Sequence, residues 1–118
     1  MKNLSFTKRM SFAFAGIAGA FRREVSFRWH IAATLFILLF CLIQRPPAVW
    51  CALFAVAASG VMVLELLNTA LEALMDKLHP GHDTEIGFAK DCLAGAVLIA
   101  SIASLVVFAL YCGSLIAG

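Results

Sequence analysis

Seven carboxylates and three histidines are the side chains of this sequence that could do chemistry, and they are unevenly placed. Apart from Glu24, every acid lies between Glu65 and Asp91, and the densest stretch is Glu65-Leu-Leu-Asn68-Thr-Ala-Leu-Glu72-Ala-Leu-Met-Asp76. On a helix, at about 100° per residue, Glu65, Glu72 and Asp76 fall within about 40° of one another and form an acidic stripe. Asn68 projects nearby, one turn beyond Glu65. Stacked like charges repel unless something positive neutralises them. Basic side chains such as Lys90, Arg22, Arg23 and Arg28 would make the stripe a solvated, ion-paired helix face. A hard divalent cation such as Mg²⁺, which prefers carboxylate oxygens and shares its shell with phosphates, would make it a nucleotide site.

Glu65 stands apart from the other acids because it ends an uncharged apolar run and is flanked by Leu64, Leu66 and Leu67. An ionisable group at the edge of lipid is costly to keep and functional by default. It could act as a general base toward a hydroxyl presented by a lipid. The alternative is an ion pair with an arginine of the N-terminal segment. His79, His82 and Asp83 offer three possible metal ligands within five residues, but Pro80-Gly81 between them reads more simply as a turn. Lys90 could meet a phosphate, and Asp91 could cap the helix of the third apolar run or help to hold a metal. His30, one step into the first apolar run, reads as an interfacial polar group.

The elements that must position these residues are membrane spans. Of 118 residues 63% are hydrophobic and 14% charged, with mean hydropathy +0.96, whereas soluble domains carry about 25% charged residues. This excludes a water-soluble globular fold and leaves room for a single domain, 1–118, with no large catalytic domain outside the membrane. A span needs ~20 apolar residues, so three fit. The uncharged runs place them at 29–44, 48–78 and 90–116, the second with an extension beyond the membrane, and Pro46-Pro47 breaks the chain between the first two. Trp29, Trp50 and Tyr111 fall where aromatic belts belong. Upstream, Phe6, Met10, Ala13, Phe14, Ile17 and Phe21 recur at helical spacing opposite Lys8, Arg9, Arg22 and Arg23. They describe an interfacial amphipathic helix over 4–27, with Phe12 out of place on its arc. Lys2, Lys8, Arg9, Arg22, Arg23 and Arg28 precede the first span, whereas the hairpin loop after it has only Arg45. The N-terminus and the loop between spans two and three are therefore expected in the cytoplasm.

Charge recurs before any long apolar run, so no cleavable signal peptide is expected. Cys41, Cys51, Cys92 and Cys112 have no CxxC spacing and read as small buried hydrophobes. The net charge of +2 is too small for binding nucleic acid through its phosphates. No GxxxxGK[ST] loop, kinase HRD or DFG set, GxSxG elbow or HExxH helix is present.

The run from Glu65 to Asp76, followed by Ala89-Lys90-Asp91-Cys-Leu-Ala-Gly-Ala-Val-Leu, resembles the prokaryotic diacylglycerol kinase and undecaprenol kinase family. Glu24-Val-Ser-Phe27-Arg28 is similar to that family's E-x-x-F-R segment, and Gly16 fits the glycine of its surface helix. The resemblance covers nearly the whole chain. It implies an all-α integral membrane protein, a homotrimer of three-span subunits each with an N-terminal surface helix, in the bacterial cytoplasmic (inner) membrane. Its active sites, shared between subunits, would transfer the ATP γ-phosphate to a lipid alcohol. Glu65 would be the general base, and Glu24 and Glu72 would hold Mg²⁺. Asn68, Asp76, Lys90 and Asp91 would serve the nucleotide, as would His82 and Asp83, while Gly16, Ser26, Phe27, Arg28 and His30 would contact lipid. The family's diacylglycerol kinase branch carries an E-x-H-E run before A-K-D, where this chain has Gly81-His82-Asp83-Thr84-Glu85, and His30 is more like the undecaprenol kinase branch. Diacylglycerol is the favoured substrate and undecaprenol the alternative. Two readings from other classes compete: a small cation-coupled transporter with Glu65 as the coupling site, and a non-enzymatic membrane subunit whose acidic helix binds a partner.

Overall fold

A computed structural model describes residues 3–118, which form four helices: α1 (Phe6–Arg23), α2 (Val25–Gln44), α3 (Ala48–Leu78) and α4 (Thr84–Ala117). Among the described residues there is no strand. The last three helices are long and apolar enough to cross a membrane, as an all-α membrane protein requires. At ~1.5 Å per residue α3 is about 46 Å long, against a hydrocarbon core of about 30 Å, so its acidic end projects beyond the lipid when its apolar start lies within it.

Each boundary has a local cause. Ser5 caps α1, its Oγ accepting from the Lys8 N–H at 3.3 Å. α1 stops at Glu24, whose extended backbone (φ −115°, ψ 115°) turns the chain directly into α2. The expected interfacial segment, 4–27, is therefore too long: Ser26, Phe27 and Arg28 lie in the first turn of α2, which also starts ahead of the expected limit at 29. Arg45 ends α2 in the left-handed region (φ 50°, ψ 59°), and Pro46-Pro47, with no N–H to donate, keeps α2 and α3 apart as a hairpin. α4 begins at Thr84, ahead of the expected limit at 90, because Asp83 caps it: Asp83 Oδ1 accepts from the N–H groups of Glu85 (2.9 Å) and Ile86 (3.1 Å). Asp91 is thus inside the helix and caps nothing.

α3 is the central element, with α2 and α4 packed on it and α1 lying against α2 and α3. Far from the acids, Phe40, Phe54, Phe108 and Tyr111 interlock edge to face, with Trp50 against Phe54 and Tyr111. Tyr111 is only 3% exposed. It and the half-buried Trp50 pack into the bundle, whereas Trp29 is 72% exposed. The four cysteines are free, three half-buried and Cys92 exposed, so the expectation of buried hydrophobes fails for Cys92. Most other large apolar side chains are exposed on the single chain, as the surface of a membrane protein facing lipid is.

Phe12, misfit on the lipid arc of α1, lines a groove between α1 and α3. Gly16, Gly19 and Ala20 share that groove with Thr69, Ala70 and Ala73 of α3. Arg22 and Arg23 line it too, and a Cβ built at Gly16 or Gly19 meets nothing within 4 Å, so the groove is open and not a close helix–helix contact.

Candidate active site

α3 carries Glu65, Asn68, Glu72 and Asp76, and nothing interrupts its helix between them, so the acidic stripe exists as the spacing requires. The four are not in equivalent surroundings. Glu65 is 4% exposed, the one charged residue among the buried side chains described. Ser26 Oγ donates to its Oε2 at 3.2 Å. His30 Nδ1 comes within 2.6 Å of Oε1, although off the line of an aligned hydrogen bond, so the contact is short without being a hydrogen bond. The far nitrogen of the same ring, Nε2, lies 3.5 Å from Ser101 Oγ on α4. The alternative, an arginine partner for Glu65, is not found among the described residues. Residues four apart on α2 hold both carboxylate oxygens instead.

Further along, Lys90 Nζ donates to Asp76 Oδ1 at 2.7 Å, joining α4 to α3, and Glu72 adds its charge to the surroundings of Lys90. Lys90 is thus the basic residue that answers the stripe; among the described residues Arg22, Arg23 and Arg28 form no ion pair with it. Arg28 instead lies over the Phe21 ring, 6.0 Å from its centroid. Asn68 Oδ1 is buried and has no hydrogen-bond partner among the described residues. A buried acceptor left unmade costs free energy, and here it stands one helical turn from Glu65 and from Glu72.

The remaining sequence candidates separate clearly. Glu24 sits half-buried at the α1–α2 junction. Phe27 is fully buried, at 0% exposure, and its ring has no surface left for a ligand. Gly16 lines the α1–α3 groove, yet a Cβ built there meets nothing within 4 Å, so space does not require the glycine. His82 and Asp91 are exposed. Asp83 is occupied locally: besides capping α4, its Oδ2 meets His79 Nε2 at 3.1 Å. Its carboxyl is held below the usual range, by the Ile86 N–H first, then by the His79 ring and the Glu85 N–H. The pairing of His79 with Asp83 completes a turn, and among the described residues no three His, Cys, Asp or Glu side chains gather as a metal site. Ser101, opposite His30, was not legible in the sequence: a serine in a long apolar run carries no motif.

An apolar cleft of ≈ 350 Å³ opens between α2 and α4 over α3, with His30 and Ser101 at the end nearest Glu65 and Ala33, Ile37, Ala57 and Phe108 along it. A buried carboxylate in contact with His30, which lines the apolar cleft, and on the same helix as the other acids, suits a substrate with a hydroxyl head and an apolar body.

The profile of the prokaryotic diacylglycerol kinase family matches residues 11–112. A Synechocystis protein named diacylglycerol kinase is 38% identical over 97 residues, covering 81% of this chain and 55% of that relative. The chain therefore spans only about half the length of the Synechocystis protein. A Bacillus subtilis undecaprenol kinase is 34% identical over 104 residues, covering 86% of this chain and 83% of the relative. The Escherichia coli K12 diacylglycerol kinase is 29% identical over 99 residues, covering 84% and 81%. With the family profile covering most of its length, including the acids of α3 and the Ala89-Lys90-Asp91 segment of α4, the chain belongs to the prokaryotic diacylglycerol kinase family of membrane lipid kinases.

Proposed function

We propose that this chain phosphorylates the hydroxyl of a membrane lipid alcohol with ATP, diacylglycerol being the favoured acceptor and undecaprenol the alternative. The observation that carries the reading is Glu65: a buried carboxylate where the apolar part of α3 meets its acidic end, with both oxygens held. In the reaction Glu65 accepts the proton of the lipid hydroxyl as that oxygen bonds to the γ-phosphorus. The bond from phosphorus to the bridging β–γ oxygen breaks, and ADP leaves. Phosphoryl transfer needs little covalent help from protein, so catalysis is positioning and charge neutralisation.

Lys90 would bring positive charge to the transferring phosphoryl group, with Asp76 fixing its ammonium. Glu24 and Glu72 would hold Mg²⁺, whose charge offsets that of the phosphates when it is bound. Hard oxygen donors and the unpartnered Asn68 Oδ1 fit that role, because Mg²⁺ is commonly held by one or two carboxylates together with substrate phosphates. Asp91 and the exposed loop residue His82 would lie toward the nucleotide, with Asp83 shaping the loop, and Gly16 and Arg28 toward the lipid, while Ser26 and His30 adjoin Glu65. The relatives named above support both acceptors, one being an undecaprenol kinase and two diacylglycerol kinases.

We further propose a homotrimer in a bacterial cytoplasmic membrane, with the N-terminus and acidic end in the cytoplasm. The excess of basic residues before α2 supports this orientation, and the bare apolar faces of α2 and α4 support assembly. Purified protein in mixed micelles, given ATP, with Mg²⁺ added or withheld and each lipid supplied separately, tests the reading. Transfer of the γ-phosphate to one lipid, dependent on Mg²⁺, is expected; well-folded protein that phosphorylates neither lipid overturns it.

A further inference from the structure

We infer that His30 is a positioning residue for Glu65, acting with Ser26 to hold the buried carboxylate by both oxygens; the inference rests on the reading of Glu65 as the base. The geometry comes from one face of α2. Ser26 and His30 are four residues apart and so project from the same side, and each meets a different oxygen of Glu65, at 3.2 Å and 2.6 Å. The imidazole is bracketed from behind by Ser101 Oγ of α4, 3.5 Å from Nε2. Three helices thus meet around one carboxylate.

A glutamate has a long, rotatable side chain, and a base that samples several rotamers spends little time aligned with its substrate. Fixing both oxygens from a rigid neighbouring helix is how a scaffold pre-organises such a group. The off-line approach of Nδ1 fits this, because catalytic contacts are often poorly aligned before substrate binds and tighten in the reacting complex. The resemblance drawn from the sequence assigns His30 to lipid contact. The structure gives it a different first partner, and the two roles separate kinetically: a lipid contact acts on the KM for lipid, a positioning residue on kcat.

The test is steady-state kinetics of ATP-dependent lipid phosphorylation in mixed micelles for the wild type, His30→Leu, His30→Asn and Glu65→Gln. Leucine fills the space without a polar atom, while asparagine places an amide N–H close to where Nδ1 stands. His30→Leu is expected to lower kcat roughly 10- to 100-fold, with the lipid KM within about threefold of wild type. His30→Asn is expected to recover most of that loss, which a merely packing role would not allow. A kcat for His30→Leu within about twofold of wild type overturns the inference. So does a rise in KM at unchanged kcat, or an asparagine variant no better than leucine. Full activity in Glu65→Gln removes the base reading and this inference with it, whereas an inactive Glu65→Gln beside a normal His30→Leu removes only the role of His30.

Discussion

Phe54→Ala separates the forces that hold the bundle from those that run its chemistry. Phe54 is buried in α3 and its ring meets Phe40 (6.4 Å, 80°), Trp50 (6.3 Å, 35°), Phe108 (6.2 Å, 48°) and Tyr111 (5.6 Å, 90°). In a water-soluble core such a truncation costs about 3–5 kcal/mol, much of it transfer of apolar surface out of water. Within a membrane that part nearly cancels, since separated helices expose the ring to lipid as apolar as the core. What remains is packing, at about 0.5–1.5 kcal/mol for each aromatic pair. With four pairs counted at the low end of that range, the loss is about 2 kcal/mol, close to a thirtyfold change in the folding equilibrium. Reversible unfolding of α-helix in micelles of rising SDS fraction measures it. The folded fraction should keep the wild-type kcat, because the acids lie at the other end of α3, while the lipid KM should rise, because Phe54 lines the apolar cleft. A stability loss below about 0.5 kcal/mol would refute the packing argument. A kcat that falls in fully folded protein would refute the separation of the two ends.

Lys90→Ala breaks an ion pair between exposed groups, so it should barely move stability, yet it should lower kcat by about 10² or more if the ammonium serves the phosphoryl group. The swap Asp76→Lys with Lys90→Asp should restore the pair but not the activity; restored activity would make the pair a structural tie only. The Asp83 carboxyl is held below its ordinary value. Its stabilisation of the α4 N-terminus is therefore complete above the unfolded carboxylate value of about 3.9 and is lost as pH falls through the lower folded value. Amide exchange at Glu85 and Ile86 should stay slow until that lower pH is reached, and in Asp83→Ala it should be fast throughout. Gly16→Ala should fit and should stiffen α1 by up to about 1 kcal/mol, since a Cβ there meets nothing within 4 Å; a raised lipid KM in this variant would mark the α1–α3 groove as part of the lipid path.

Much of the architecture is written in one-dimensional pattern. Three uncharged runs and Pro46-Pro47 specify the spans and their hairpin, and the seven- and four-residue steps from Glu65 to Asp76 put the acids on one face of α3. The errors come from signals that are local but easily outweighed. Asp83 followed by Thr84-Glu85 is a helix start, masked because hydropathy alone places the third span several residues later. The bend at Glu24 has no proline or glycine to announce it; it occurs where the amphipathic α1 gives way to the apolar α2. Phe12 lies off the apolar arc of α1 and lines the groove between α1 and α3. The partners of Glu65 were the least legible feature. Ser26 and His30 are 39 and 35 residues away in sequence, and only the packing of α2 on α3 brings them to it. Sequence could show that Glu65 needs a partner, but not which helix supplies one.

The most direct test of the account replaces the one buried carboxylate by its neutral isostere. Glu65→Gln keeps the shape of the side chain and can still meet Ser26, so the bundle should remain folded and ATP should still bind. Transfer of the γ-phosphate to diacylglycerol or undecaprenol, followed with labelled ATP in mixed micelles, should fall by about 10²-fold or more, the contribution expected of a positioned general base. A normal rate of lipid phosphorylation in folded Glu65→Gln protein would contradict the central claim.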